Sequence, residues 1–188
     1  NQLSTLDVTS NTVLYYLDCY ANELSELDLT INSELTELRC QENQLSSLGL
    51  NNNIQLQNLY CQSNDITSLD LSQNTSLQNI QAHENQLTYF DLRNGVSPNS
   101  LSLNATNNPE LFIIFSLEPA SAIEAWTFDN GSIDEQVGFY LHFPPTTENI
   151  EIFVDEDLPV EGFLSGNDFE SGELTFSLLE EPVNGMVT

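Results

Sequence analysis

The stretch Leu38–Leu48, "LRCQENQLSSL", holds a cysteine with no partner in sight: no CxxC and no adjacent histidine cluster. Its meaning comes from one period to either side. Cys19, in "LDCYAN", stands 21 residues before Cys40; Cys61, in "LYCQSN", stands 21 residues after it, and one more step reaches Ala82, in "IQAHEN". The surrounding residues keep the same step, as in Leu17, Leu38, Leu59, Ile80 and in Leu29, Leu50, Leu71, Leu92. Asparagines form two further rows, Asn1, Asn22, Asn43, Asn64, Asn85 and Asn11, Asn32, Asn53, Asn74. A fixed period of this length signals a solenoid.

One turn reads L-x-x-L-x-C-x-x-N-x-L-x-x-L-D-L-S-x-N-x-x. Its two apolar runs, each ending in a turn signal, predict short strands rather than helices. Fixing about twenty residues of backbone costs roughly 20–40 kcal/mol, and about six buried apolar side chains return roughly 10–18 kcal/mol. A single turn therefore cannot fold alone, and neighbouring turns must share a core and a backbone ladder. In "LRCQ", alternation sends Leu38 and Cys40 inward and Arg39 and Gln41 outward. Cys19, Cys40 and Cys61 are thus expected to stack as a buried file in which cysteine serves as a small hydrophobe, a slot that Ala82 also fits. Each flanking row offers only Leu or Ile, so no metal ligands converge there. The asparagine rows are expected to turn corners, their amides supplying a donor and an acceptor to otherwise unpaired backbone.

These turns resemble the short, 21-residue type of leucine-rich repeat, over roughly residues 1–108. A turn with a two-residue insertion follows in "DLRNGVSPNSLSLNATNNPEL", where Leu103, Ala105 and Asn108 take the slots of Ile80, Ala82 and Asn85. That ending resembles the last turn of the same family, and "AWTFDNGSIDEQVGF" resembles its C-terminal cap. Where the family's cap often carries a cysteine pair, the resemblance implies an apolar contact between Ile113 and Phe143. From residue 146 onward, "IFVDEDLPVEGFLSGNDFESGELTFSLLEEPVNGMVT" resembles the opening half of a bacterial cadherin-like, immunoglobulin-type sandwich; about 40 residues match, where such a domain needs about 100. The expected organisation is a mainly β chain: a solenoid with a parallel sheet at 1–108, a cap and linker at 109–145 with Pro-Pro-Thr-Thr at 144–147, and a partial sandwich at 146–188. Because Asn1 already occupies a ladder position, the chain is expected to be a piece of a longer protein. The family resemblance, common among surface and secreted proteins of Bacteroidetes-like bacteria, implies an extracellular or cell-surface location.

The net charge is −27, with two arginines and no lysine. Residues 1–108 carry 12 acids and both arginines, and residues 109–188 carry 17 acids and no base. Such a surface disfavours nucleic acid and anionic membranes, which need basic patches. It fixes no oligomeric state.

If Leu and Cys point inward on the "LxxLxC" strand, the residues between them face outward on what the repeat geometry makes a concave sheet. These are Tyr16, Asp18, Tyr20; Glu37, Arg39, Gln41; Asn58, Tyr60, Gln62; Asn79, Gln81, His83; and Ser102, Asn104, Thr106. Aromatic and arginine side chains make good binding anchors, amides suit hydroxyl-rich ligands, and solenoids present extended binding surfaces. The expected ligand is a protein or a glycan. A second outward row, Asp7, Asp28, Asp70, Asp91, is broken by Gly49; like-charged neighbours need hydrogen bonds or a cation, and backbone hydrogen bonding is the favoured expectation. Calcium has better candidate ligands in Asp155, Glu156, Asp157 and Asp168, hard oxygens in expected loops, although no cofactor is required. No Ser/His/Asp elbow, HExxH or phosphate loop is present, and neither His83 nor His142 has a catalytic setting, so the chain is not expected to be an enzyme. The sequence thus favours non-catalytic recognition or adhesion, the alternative being a calcium-rigidified spacer of a larger surface protein.

Overall fold

The computed structural model describes residues 1–141 together with two short strands at 146–147 and 166–167. In chain order its strands are β1 (Tyr16–Asp18), β2 (Glu37–Arg39), β3 (Asn58–Tyr60), β4 (Ser68–Asp70), β5 (Asn79–Gln81), β6 (Tyr89–Leu92), β7 (Ser102–Asn104), β8 (Ile113–Ser116) and β9 (Gly138–Tyr140), with helix α1 (Pro119–Ala125) between the last two. Residues Asn1–Leu141 form one compact unit. In the other, the strands β10 (Thr146–Thr147) and β11 (Gly166–Asn167) pair antiparallel. The rest of the expected sandwich segment, including Asp155, Glu156, Asp157 and Asp168, lies outside the described residues, as do Phe143 and His142.

The 21-residue step becomes a parallel sheet of five strands in the order β1-β2-β3-β5-β7. Its register puts Leu17, Leu38, Leu59, Ile80 and Leu103 opposite one another, all inside the core. Beyond the strand ends the ladder continues through the cysteine file: Cys19 N donates to Arg39 O (2.8 Å), Cys40 N to Tyr60 O (2.9 Å), Cys61 N to Gln81 O (2.9 Å) and Ala82 N to Asn104 O (2.8 Å). The three cysteines are buried and free, and Cys40 Sγ contacts Tyr60 O at 3.6 Å.

The two asparagine rows behave differently. Asn64 uses its whole amide: Nδ2 donates to Cys40 O and Cys61 O, both at 3.1 Å, and Oδ1 accepts Leu45 N at 3.0 Å. Asn43, Asn85 and Asn108 repeat the pattern. In the second row, Asn32, Asn53 and Asn74 donate to two carbonyls each, but their Oδ1 atoms have no protein donor. The local N–H groups there are committed to tight turns, such as Asn32 N to Leu29 O and Leu35 N to Asn32 O, both 3.1 Å. The expectation that every amide supplies both partners is corrected for this row.

A second correction concerns the other run of each turn. It forms a parallel sheet, in the order β4-β6-β8-β9, only from Ser68 onward. The matching stretches 26–28 and 47–49 are not strands. Gly49, which has no side chain to pack on a pleated surface, separates the paired part from the earlier turns.

The cap closes both sheets. β8 and β9 extend the second sheet, with Phe90 opposite Ile114 and Ile114 opposite Phe139. At the end of the first, Ser132 O accepts Ala105 N at 2.7 Å. Trp126, buried after α1, donates from Nε1 to Leu101 O (3.0 Å) and packs on Phe139 at 5.7 Å.

Candidate functional site

The same alternation that buries the leucines of the five-stranded sheet turns their neighbours outward. The register aligns them across the strands in one row, Tyr16, Glu37, Asn58, Asn79, Ser102, and a second, Asp18, Arg39, Tyr60, Gln81, Asn104. A third row, Tyr20, Gln41, Gln62, His83, Thr106, follows from backbone bonds past the strand ends, among them Glu42 N to Gln62 O and Ser63 N to His83 O, both 3.0 Å. All are exposed or half-buried, so the residues expected to share one outer face do share it.

Much of this face is organised by its own contacts. Arg39 Nε bonds Glu37 Oε1 at 2.7 Å, and its guanidinium lies 5.0 Å from the Tyr60 ring centroid, a cation–π distance. Tyr16 OH donates to Asp18 Oδ2 at 3.1 Å, and Gln81 Nε2 to Asn79 Oδ1 at 3.0 Å. Gln41 Oε1, Gln62 Oε1 and His83 Nδ1, all in the third row, are shielded and have no partner.

The aspartate row is built for the backbone. Asp7 Oδ1 accepts Thr9 N (2.9 Å) and Thr9 Oγ1 (2.6 Å), Asp28 does the same with Thr30 (3.0 and 2.7 Å), and Asp70 accepts Ser72 N (3.0 Å). The threonine hydroxyls, then the backbone N–H groups, hold the Asp7 and Asp28 carboxyls below the usual range. Gly49 leaves a shallow groove of about 650 Å³ beside them, lined by Thr5, Asp7, Glu26, Asp28, Thr30 and Ser47 among others. Among the described residues, no group of three or more His, Cys, Asp or Glu side chains is placed to hold a metal ion.

Two features escape a reading of the repeat alone. Asp91 is buried and is met by Arg93 through its backbone N–H (2.9 Å) and its guanidinium Nη2 (2.8 Å), while Arg93 lies 5.0 Å from the Phe115 ring and Tyr89 OH donates to Asp91 at 3.1 Å. The only sequence signal was an arginine two residues after the row's last aspartate. Asp134 in the cap accepts the backbone N–H of Asn107 (3.0 Å) and Asn108 (2.9 Å). Nothing periodic marks it.

These features define a parallel β solenoid of the leucine-rich-repeat kind, with an outward aromatic and amide face and a capped C-terminal end. No protein-family model matches the chain, and no curated protein matches it. Among solved structures it is similar to the functional domain of InlJ from Listeria monocytogenes, which includes a cysteine ladder, at 33% identity and a TM-score of 0.48 over 61% of this chain and 22% of that one. The match thus spans about a fifth of the length of that solved chain. No described helix is long and apolar enough to cross a membrane.

Proposed function

We propose that this chain is a non-catalytic recognition or adhesion module of an extracellular or cell-surface protein, binding a protein or glycan through the outer face of its five-stranded sheet. One observation carries the reading: five strands in strict register, with the residues just past their ends, hold three tyrosines, an arginine stacked on one of them, and a field of amides on a single continuous surface. Rigid aromatic and guanidinium groups lose little entropy on binding. The same alternation leaves the interior of this sheet to leucines, Ile80 and the cysteines. The test is a screen of the full chain against glycans and surface proteins, beside the Tyr16→Ala, Tyr20→Ala, Tyr60→Ala triple variant matched for folding. A ligand retained equally by the variant would move binding off this face.

The competing reading is a calcium-rigidified spacer. It is supported by the acid-rich segment holding Asp155, Glu156, Asp157 and Asp168, outside the described residues. A melting temperature that rises with calcium, together with no ligand in the screen, would select it.

A further inference from the structure

We propose that the ligand of this face is a neutral, linear glycan laid across β3, β5 and β7, with one sugar per solenoid turn; the proposal rests on the reading that the outer face is the binding surface. The face has two chemically distinct halves. Over β1 and β2 it carries Asp18, Glu37 and Arg39, and the last two are already paired at 2.7 Å. Over β3, β5 and β7 every outward side chain is an amide, a hydroxyl, an aromatic ring or His83, with Asn58, Gln62, Asn79, Gln81 and Asn104 at its centre. In a chain with 29 acids and two cations, none of these nine side chains is a carboxylate, lysine or arginine; Glu84, just past the third row, is bonded to Ser63 Oγ at 2.8 Å, and the net charge repels an anionic ligand.

Side-chain amides both donate and accept, which is what a row of sugar hydroxyls requires. Charged partners would instead leave that capacity unused. Gln62 Oε1 and His83 Nδ1 have no partner, and an amide's terminal torsion is soft, so a hydroxyl of the ligand can draw Gln62 out and satisfy it. Tyr60 stands at the border of the neutral half as a flat apolar wall, backed by Arg39 at 5.0 Å. The spacing also fits. Adjacent strands lie about 4.8 Å apart, close to the advance of one sugar along an extended glycan, so the same contacts recur at each strand as the chain crosses the sheet.

The test is titration calorimetry of the full chain with β-1,4-gluco-, β-1,3-gluco- and β-1,4-manno-oligosaccharides from disaccharide to hexasaccharide, with oligolysine as the charged control. The expected result is one series whose affinity climbs with each added sugar, levels off once the three strands are spanned, and is insensitive to salt. Gln62→Met and, separately, Gln81→Met keep volume and charge; either should weaken binding about tenfold through a lost hydrogen bond in a desolvated contact. A protein partner whose capture is abolished by the tyrosine triple variant, with no glycan bound, would overturn the glycan proposal and leave the recognition reading standing. Oligolysine binding that fades with salt and ignores both methionine variants, in the absence of glycan binding, would also overturn it. Failure of every ligand class would overturn both readings.

Discussion

The carboxylate of Asp134 lies across the open end of the asparagine ladder and accepts the backbone N–H of Asn108 at 2.9 Å, taking that of Asn107 at 3.0 Å with its other oxygen. In every earlier turn the N–H at the Asn107 position finds a carbonyl of the next turn, as Glu84 N finds Thr106 O at 3.0 Å. The last turn has no successor, and Asp134 stands in for it. Asp134→Ala should therefore cost about 1–2 kcal/mol, the worth of two half-exposed charge-assisted bonds. Urea unfolding would check this, and a midpoint within error of the parent would remove Asp134 from any capping role.

Asn64 sits mid-stack with all three of its ladder bonds made. Asn64→Ala strands Leu45 N in the core, while Cys40 O and Cys61 O each keep one amide donor, from Asn43 and Asn85 (both 3.0 Å), for a loss of about 1–3 kcal/mol. Because solenoid turns are coupled mainly to their neighbours, the damage should be local. Hydrogen exchange should speed first at the amide of Leu45, which loses its acceptor, with the cap near Trp126 affected least. Uniform acceleration across the chain would contradict this.

The cysteine file should be inert. Burial pushes the Cys19 thiol up to about 11 and that of Cys61 to about 12, and raises Cys40 well above the usual value. With the thiolate suppressed and the sulfur covered, an aromatic disulfide reagent should find no fast-reacting thiol in the native protein, Cys19 being first to react as the file opens. Cys61→Ala should cost only about 1 kcal/mol, a small cavity, since Ala82 and Ala105 already fill the same slot fully buried. Two or more thiols titrating rapidly in native buffer would mean that the strands part readily.

What could be foreseen follows from repetition. Leu38 and Cys40 inward, Arg39 outward and the amide of Asn43 at the corner are each stated four or five times by the period, and stacking leaves one solution. The aspartate row was legible at Asp7, Asp28 and Asp70, because a carboxylate two residues before a Thr or Ser N–H bonds it locally, as Asp28 does with Thr30; Asp91, expected to face outward with them, is buried. Contacts made once are another matter. Asp134 reaches Asn108 across 26 residues with no second example among the described residues, and Trp126 finds Leu101 O across 25. The start of the second sheet at Ser68 follows Gly49, the one break in the aspartate row, but a single break does not say on which side of it pairing sets in. The outer face lies between these cases: its residues were readable, and the Glu37–Arg39–Tyr60 contact that organises it was not.

Asp91 and Arg93 make the stability of the cap end sensitive to acid. Burial raises the Asp91 carboxyl, and the side-chain and backbone bonds from Arg93 outweigh it, so that the net position lies below the usual carboxylate range. A carboxyl whose folded value is depressed contributes stability that is fully present above its unfolded value, about 3.9, and is lost as pH falls through the folded value. Unfolding free energy should therefore drop below about pH 4 more steeply in the parent than in Asp91→Asn. At neutral pH the variant itself should be about 2 kcal/mol less stable, because Arg93 loses the Asp91 charge in a half-buried site; its side chain retains 24% exposure, which limits the loss. Arg93→Lys keeps the charge but not the planar fork that reaches both Asp91 oxygens and Leu141 O at 3.1 Å, so it should lie between the two. Urea titrations of the three proteins at neutral pH and at pH 3 would decide the matter, and parallel acid limbs for parent and Asp91→Asn would show that this pair has no part in the acid sensitivity.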